Sequence, residues 1–229
     1  MANSSSDMSE HLIEAARYTL LRRLAPSIRH RLVGKLHPIG LIAEVVEGQI
    51  RETAPDLTNV QDNVAKINSL SRSAMLSTTS LITWLAPEEG ATTTIGDGIN
   101  ECLTLLQTDF GIRGFSIESE VRGLDVCVSL SALRNVLTAS LIAATDSASG
   151  PAKLLLEAQV SKKHALLSIH MRPTDDTSSS AIDNAYRRLE WDDVQALAEG
   201  ESVGLSHNGA YVEMRYCIEG VAASASIPR

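Results

Sequence analysis

The chain has 229 residues, 44% hydrophobic and 21% charged, with a mean hydropathy of +0.01. That composition supplies a sizeable core, enough for one large domain or two small ones. Twenty basic residues against 28 acidic ones give a net charge of −8, and two Phe, two Trp and four Tyr are the only aromatics. An acidic surface with few stacking platforms argues against a nucleic-acid partner.

No apolar run reaches the roughly 18–20 residues of a membrane span. The opening MANSSSDMSE lacks a charged-then-apolar signal segment, so the expectation is a cytoplasmic protein with no membrane partner. Cys102, Cys127 and Cys217 are widely spaced and odd in number, which reads as reduced structural thiols.

Residues 1–8 are polar and Ser-rich and predict a frayed tail. From Ser9 to about Ile50 the pattern is helical. Ile28, Leu32, Leu36, Ile39, Ala43 and Val46 recur every three or four residues as one apolar stripe. Pro26 and Pro38 each remove an amide donor and predict a kink or a division of this helix. RETAPD is a turn signal, and Asp56 is placed to cap a second helix running to about Leu85. Its near-heptad seam is Leu57, Val60, Val64, Ile67, Ser71, Ala74, Thr78, Leu81 and Leu85. Two such helices form a hairpin with little core of its own, best completed by a second copy as a homodimeric four-helix bundle.

APEEGATTT reads as a linker. Beyond it come a helix over Ile95–Phe110, strands over Ser116–Val121 and Asp125–Val128, and an apolar helix over Ser129–Ser147. Strands follow over Lys153–Val160 and Ala165–Met171, separated by SKKH. A polar stretch, RPTDDTSSSAIDNAYRRLE, precedes a helix over Trp191–Ala198. A hairpin of Tyr211–Cys217 with Val221–Ile227, turning at Glu219–Gly220, closes the chain. The fold class is α+β: a helical hairpin (residues 9–88) followed by an α/β two-layer sandwich (residues 92–229).

HRLVGKLHPI, from His30 to Ile39, resembles the H-box of sensor histidine kinases, in which a phospho-accepting His is followed by an acid, a Leu and later a Pro. Leu32, Gly34, Leu36 and Ile39 fit that frame. Val128–Ser149 resembles the kinase helix that carries the ATP-site asparagines, and GVAASASIPR resembles the closing strand of the ATPase domain. The departures matter as much. Arg31 stands in place of the acid and Lys35 in place of the proline. Ala139 and Ala143 replace the metal-binding asparagines. No Asp-x-Gly-x-Gly follows HMRP, and Gly204–Leu205 is all that resembles a second glycine box. ATP in that fold needs an adenine-reading Asp, a metal-binding Asn and glycines that admit phosphate to backbone amides. The chain therefore looks like the dimeric histidine phosphotransferases of the ChpT type, a kinase dimerisation hairpin joined to a degenerate ATPase-like domain; Val194–Gln195 and the C-terminal hairpin are arranged similarly there. The resemblance implies phosphoryl relay between receiver-domain aspartates with no nucleotide and no other cofactor.

His30 lies two residues from both Ile28 and Leu32, about 200° around the helix from each, so it is expected to face outward as the phospho-acceptor. His37 is seven residues on, on nearly the same face, and is the alternative acceptor. Arg29, Arg31 and Lys35, with His37, form a candidate docking patch for an acidic receiver pocket; the plainer reading is a solvated basic surface. Asp175–Asp176 reads as solvated. Gly96 and Gly98 form a lone GxG. His164, His170 and His207 lack metal-ligand spacing, so no metal site is expected. The alternative function is a non-catalytic pseudokinase adaptor that binds a receiver domain or a hybrid histidine kinase without accepting phosphate, a reading Arg31 favours. An active kinase ranks below both.

Overall fold

The computed structural model describes residues 2–86, 88–121, 124–174 and 187–218, with side-chain surroundings described from residue 7 onward, Leu85 excepted. The expected strand over Val221–Ile227 and the Asp175–Asp176 pair lie outside the described residues. The chain divides into two compact units. One takes residues 25–86, and the other takes residues 1–24 together with 87–229.

Helix α1 spans Ala2–Ile50 as one helical element with Pro26 and Pro38 inside it, so neither proline divides it. Each proline removes one donor and leaves the flanking ladder to hold the helix. Helicity also extends through residues 2–8, within the tail that the sequence predicts over 1–8. Helix α2 spans Leu57–Leu85, and Asp56 caps it by accepting from the amides of Thr58 and Asn59 at 3.0 and 3.2 Å.

The smaller unit is an antiparallel hairpin of the second half of α1 with α2. Asn63 donates to the Gln49 Oε1 at 3.2 Å near the turn, and Lys35 Nζ donates to the Ser73 Oγ at 3.0 Å farther along. Among the described residues, Asn63, Ala74, Leu81 and Trp84 are its buried side chains. On α1 the half-buried seam runs Ile28, Leu32, Lys35, Ile39, Ile42, Val46 and Gln49. The expected stripe is thus corrected: Leu36 and Ala43 face solvent and Lys35 and Ile42 take their places, so that the seam alternates steps of four and three throughout. On α2, Val60, Ile67, Ser71, Ala74, Thr78 and Leu81 keep to the inner side, while Leu57 and Val64 turn outward.

The larger unit carries a five-stranded sheet in the order β2-β4-β5-β7-β6. The strands are β2 (Ser116–Ser119), β4 (Ala152–Val160), β5 (His164–Pro173), β6 (Gly204–His207) and β7 (Tyr211–Cys217). Only the β2–β4 pair is parallel. A separate two-stranded ladder pairs β1 (Thr92–Thr94) with β3 (Cys127–Ser129), so a strand sits inside the expected linker. Gly204–Leu205 belong to β6, paired with Arg215 and Met214; they form an edge strand and no phosphate-binding loop.

Helix α3 (Ile95–Ile112), α4 (Leu130–Ala132), a π-helical turn (Leu133–Leu137), α5 (Thr138–Ser147) and α6 (Trp191–Gly200) supply the helices of this unit. Its core joins Leu154, Leu156, Leu167, Ile169, Met214 and Tyr216 from the sheet to Ile99, Leu106, Leu137 and Leu141 from the helices. Gly98 is required by packing: a Cβ there would lie 2.3 Å from the Leu133 Cδ2 and 2.9 Å from the Thr93 Cγ2. Residues 2–24 of α1, expected in the hairpin, group with this unit. The cause is visible in burial, since Ala16, Leu20 and Leu24 are at most 1% exposed. That apolar stripe contributes about 1.5–3 kcal/mol for each large side chain removed from water.

Candidate functional site

His30 is exposed on α1, as its offset from Ile28 and Leu32 predicts. The Lys35–Ser73 and Gln49–Asn63 bonds set the antiparallel register, which brings His30 level with Thr78. The hydroxyls of Thr78 and Thr79 donate to the Ala74 and Met75 carbonyls at 2.9 and 3.1 Å, so both are engaged along their own helix. Arg29 and His37 are exposed. Arg31 and Lys35 are half-buried, on the side of α1 that meets α2, and the Lys35 ammonium is held by Ser73. The candidate cations therefore fall into two groups: Arg29 and His37 beside His30 on the open surface, Arg31 and Lys35 on the inner side.

Charge is segregated along the hairpin. Residues 25–43 contain Arg29, Arg31, Lys35 and two histidines without a single Asp or Glu, and residues 64–86 contain Lys66 and Arg72 with none either. The acids Glu44, Glu47, Glu52, Asp56 and Asp62 all lie between these tracts, towards the turn. In a chain of net charge −8 this leaves the His30 end of the hairpin as a basic, acid-free surface, which attracts anionic groups and speeds their encounter.

The hairpin also keeps an apolar face open. Val33, Leu36, Leu41 and Val45 on α1, and Leu57, Val64, Met75 and Ile82 on α2, are 41–69% exposed. Positions 57, 64, 75 and 82 fall within about 20° of one line along the helix. Ser71 interrupts that line and belongs to the inner seam.

In the larger unit, Ala139 and Ala143 of α5 are fully buried. On the same helical run, Asn135 precedes them and Asp146 follows, and both reach partners that engage α1. Asn135 Nδ2 donates to the Glu201 Oε1 at 2.8 Å, and Arg17 Nη2 donates to that same oxygen at 3.3 Å. Ser131 Oγ donates to the Glu201 Oε2 at 2.8 Å. Arg23 Nη2 donates to both Asp146 oxygens at 2.7 and 2.9 Å, and Arg113 Nη2 adds a third bond at 2.8 Å. The side chains of Arg23 and Asp146 are 5% and 3% exposed. Sequence reasoning missed Asp146 and Glu201 as hubs. The signal was present in Asp146, the one charged residue in the run LTASLIAATDSAS; its two arginines are 123 and 33 residues away, beyond any local pattern.

The remaining histidines lie apart. His170 sits 3.4 Å from the Glu157 carboxylate and packs on Tyr211, whereas His207 stacks on Trp191 with ring centroids 4.0 Å apart. Among the described residues no group of three His, Cys, Asp or Glu gathers as a metal site, and no helix is long and apolar enough to cross a membrane.

No family model and no curated protein matches the chain. Among solved structures, a histidine kinase from Acinetobacter baumannii, AdeS, aligns with a TM-score of 0.42 and 18% identity over 79% of this chain and 94% of its own. A histidine kinase from Burkholderia phymatum aligns with a TM-score of 0.43 and 12% identity over 86% of this chain and 97% of its own. The histidine kinase ThkA, in complex with the response regulator TrrA, gives a TM-score of 0.39 and 15% identity over 93% of this chain and 66% of its own.

Proposed function

We propose that the chain is a two-component signalling protein, a homodimeric histidine phosphotransferase that exchanges a phosphoryl group between His30 and a receiver-domain aspartate without using ATP. The observation that carries the reading is His30 standing exposed on the acid-free basic end of a helical hairpin. A neutral imidazole nitrogen attacks the phosphorus of an aspartyl phosphate. The N–P bond forms as the P–O bond to the carboxylate breaks, the aspartate leaves as a carboxylate, and the ring proton passes to solvent. Arg29 and the charge around it steer the anionic receiver pocket. The open stripe through Leu57, Val64, Met75 and Ile82 is the surface for the second copy. Closure of α5 around Ala139 and Ala143 supports a nucleotide-free reading of the larger unit. A cytoplasmic setting, with a receiver domain or hybrid histidine kinase as partner, follows from this proposal.

Arg31 favours the adaptor as the second reading, because a cation stands where the resemblance calls for a carboxylate that would assist proton movement. One experiment separates the two. The protein is incubated with a panel of radiolabelled, phosphorylated receiver domains, and label is sought on the chain. Phosphotransfer requires label on the wild type, its loss in His30→Ala and its retention in His37→Ala. A receiver that binds while neither histidine is ever labelled establishes the adaptor instead.

A further inference from the structure

The larger unit binds a helix, and the helix is its own. Ile13, Ala16, Arg17, Leu20, Arg23 and Leu24 fall on about 120° of the α1 circumference. That arc carries the three buried apolar anchors and both arginines that reach Glu201 and Asp146. Gly200, at the end of α6, completes the fit: a Cβ there would lie 2.9 Å from the Ile13 Cγ2, so any side chain at this position must displace Ile13.

The contact is nevertheless imperfect. Arg23 Nε is buried with no hydrogen-bond partner. A solvent-open cleft of about 450 Å³ borders the contact, lined by Glu10, His11, Ile13, Glu14, Arg17 and Gly200, so water reaches its edge. Two other tethers are weak, with Arg17 42% exposed and 3.3 Å from Glu201, and Arg187 donating to the Thr19 hydroxyl at 3.3 Å. Just beyond Leu24, Pro26 removes an amide from the helical ladder at the boundary of the two units. An unpaired buried guanidinium nitrogen lowers the stability of the docked state relative to a released one in which water reaches it.

We propose that the face of the larger unit formed by α5 and the end of α6 is a helix-docking groove, occupied reversibly by residues 13–24 of this chain. Three apolar anchors and the Asp146 charge cluster hold the segment as a latch that opens without unfolding the sheet beneath. The groove's ligand chemistry is thereby defined as an amphipathic helix with small and large apolar residues at three- and four-residue spacing and an arginine aimed at Asp146. This does not depend on whether His30 accepts phosphate.

The test is hydrogen–deuterium exchange on the full chain in two variants that break the contact from opposite sides. Asp146→Asn leaves Arg23 and Arg113 without their carboxylate, and Gly200→Leu drives a side chain into Ile13 while leaving every charge in place. Each is expected to speed exchange across residues 13–24 by about tenfold or more, with β4 and β5 protected as in the wild type. Two outcomes overturn the proposal. Unchanged protection of residues 13–24 in both variants means the groove does not hold the segment as described. Equal loss of protection in β4, β5 and residues 13–24 means that α1 is an integral part of the core and no latch exists.

Discussion

Placing an aspartate at position 75 separates the two apolar faces of the hairpin. Met75 is 69% exposed in the single chain, so Met75→Asp removes little that the monomer buries, and its fold should change by no more than about 0.5 kcal/mol. If the open stripe meets a second copy, the same change acts at the interface. Burying a Met fully is worth about 1.5–3 kcal/mol, and roughly two-thirds of that remains available at this site, or about 1–2 kcal/mol per protomer. Twofold symmetry counts it twice, and each unpaired carboxylate adds a desolvation penalty on top. The sum, at least about 3 kcal/mol, weakens the dimer by at least about a hundredfold. Sedimentation velocity across a concentration series reads this directly, with circular dichroism as the control. Leu81→Asp is the contrast, since Leu81 is only 6% exposed and lies on the hairpin's own seam; it should reduce helix content at every concentration. The reasoning fails if the wild type sediments as a monomer of 24.6 kDa at high concentration. It fails equally if Met75→Asp dimerises as tightly as the wild type.

Three further predictions concern the larger unit. Gly98→Ala should lower the melting temperature through about 1–3 kcal/mol of overpacking against Leu133 and Thr93, whereas Gly96→Ala, whose Cβ meets nothing within 4 Å, should not. Burial pushes the Cys102 thiol up from 9.0 to about 12. Folding therefore holds the proton longer than the unfolded chain does. Its stabilising contribution is complete below pH 9.0 and is lost as pH rises towards about 12. Denaturant titrations across that window should show a stability loss that Cys102→Ala reduces; the buried Tyr216 hydroxyl, raised in the same direction, accounts for what remains. In the native protein alkylation should reach exposed Cys217 well before Cys102.

Local rules were enough for much of this chain. The Asp56 cap, the α2 span to Leu85, the β4–β5 hairpin and the apolar helix around residues 130–147 follow from capping chemistry and from periods of 3.6 and 2, which are properties of neighbours in sequence. His30's exposure follows the same way, from its offset to Ile28 and Leu32. Tertiary structure decided what depends on distant partners. Residues 9–24 continue the helical pattern of α1, and only distant partners assign them to the larger unit: Asp146 and Glu201 for the arginines, and the surface that buries Ala16, Leu20 and Leu24. The choice of Ile42 over Ala43 and of Lys35 over Leu36 for the inner seam depended on how α2 packs, because an apolar residue on either side of a thin hairpin satisfies the same pattern. Short edge strands β1 and β6 escaped because three or four residues carry too little alternation to stand out. They exist through the ladders of β3 and β7, whose hydrogen bonds no single segment encodes.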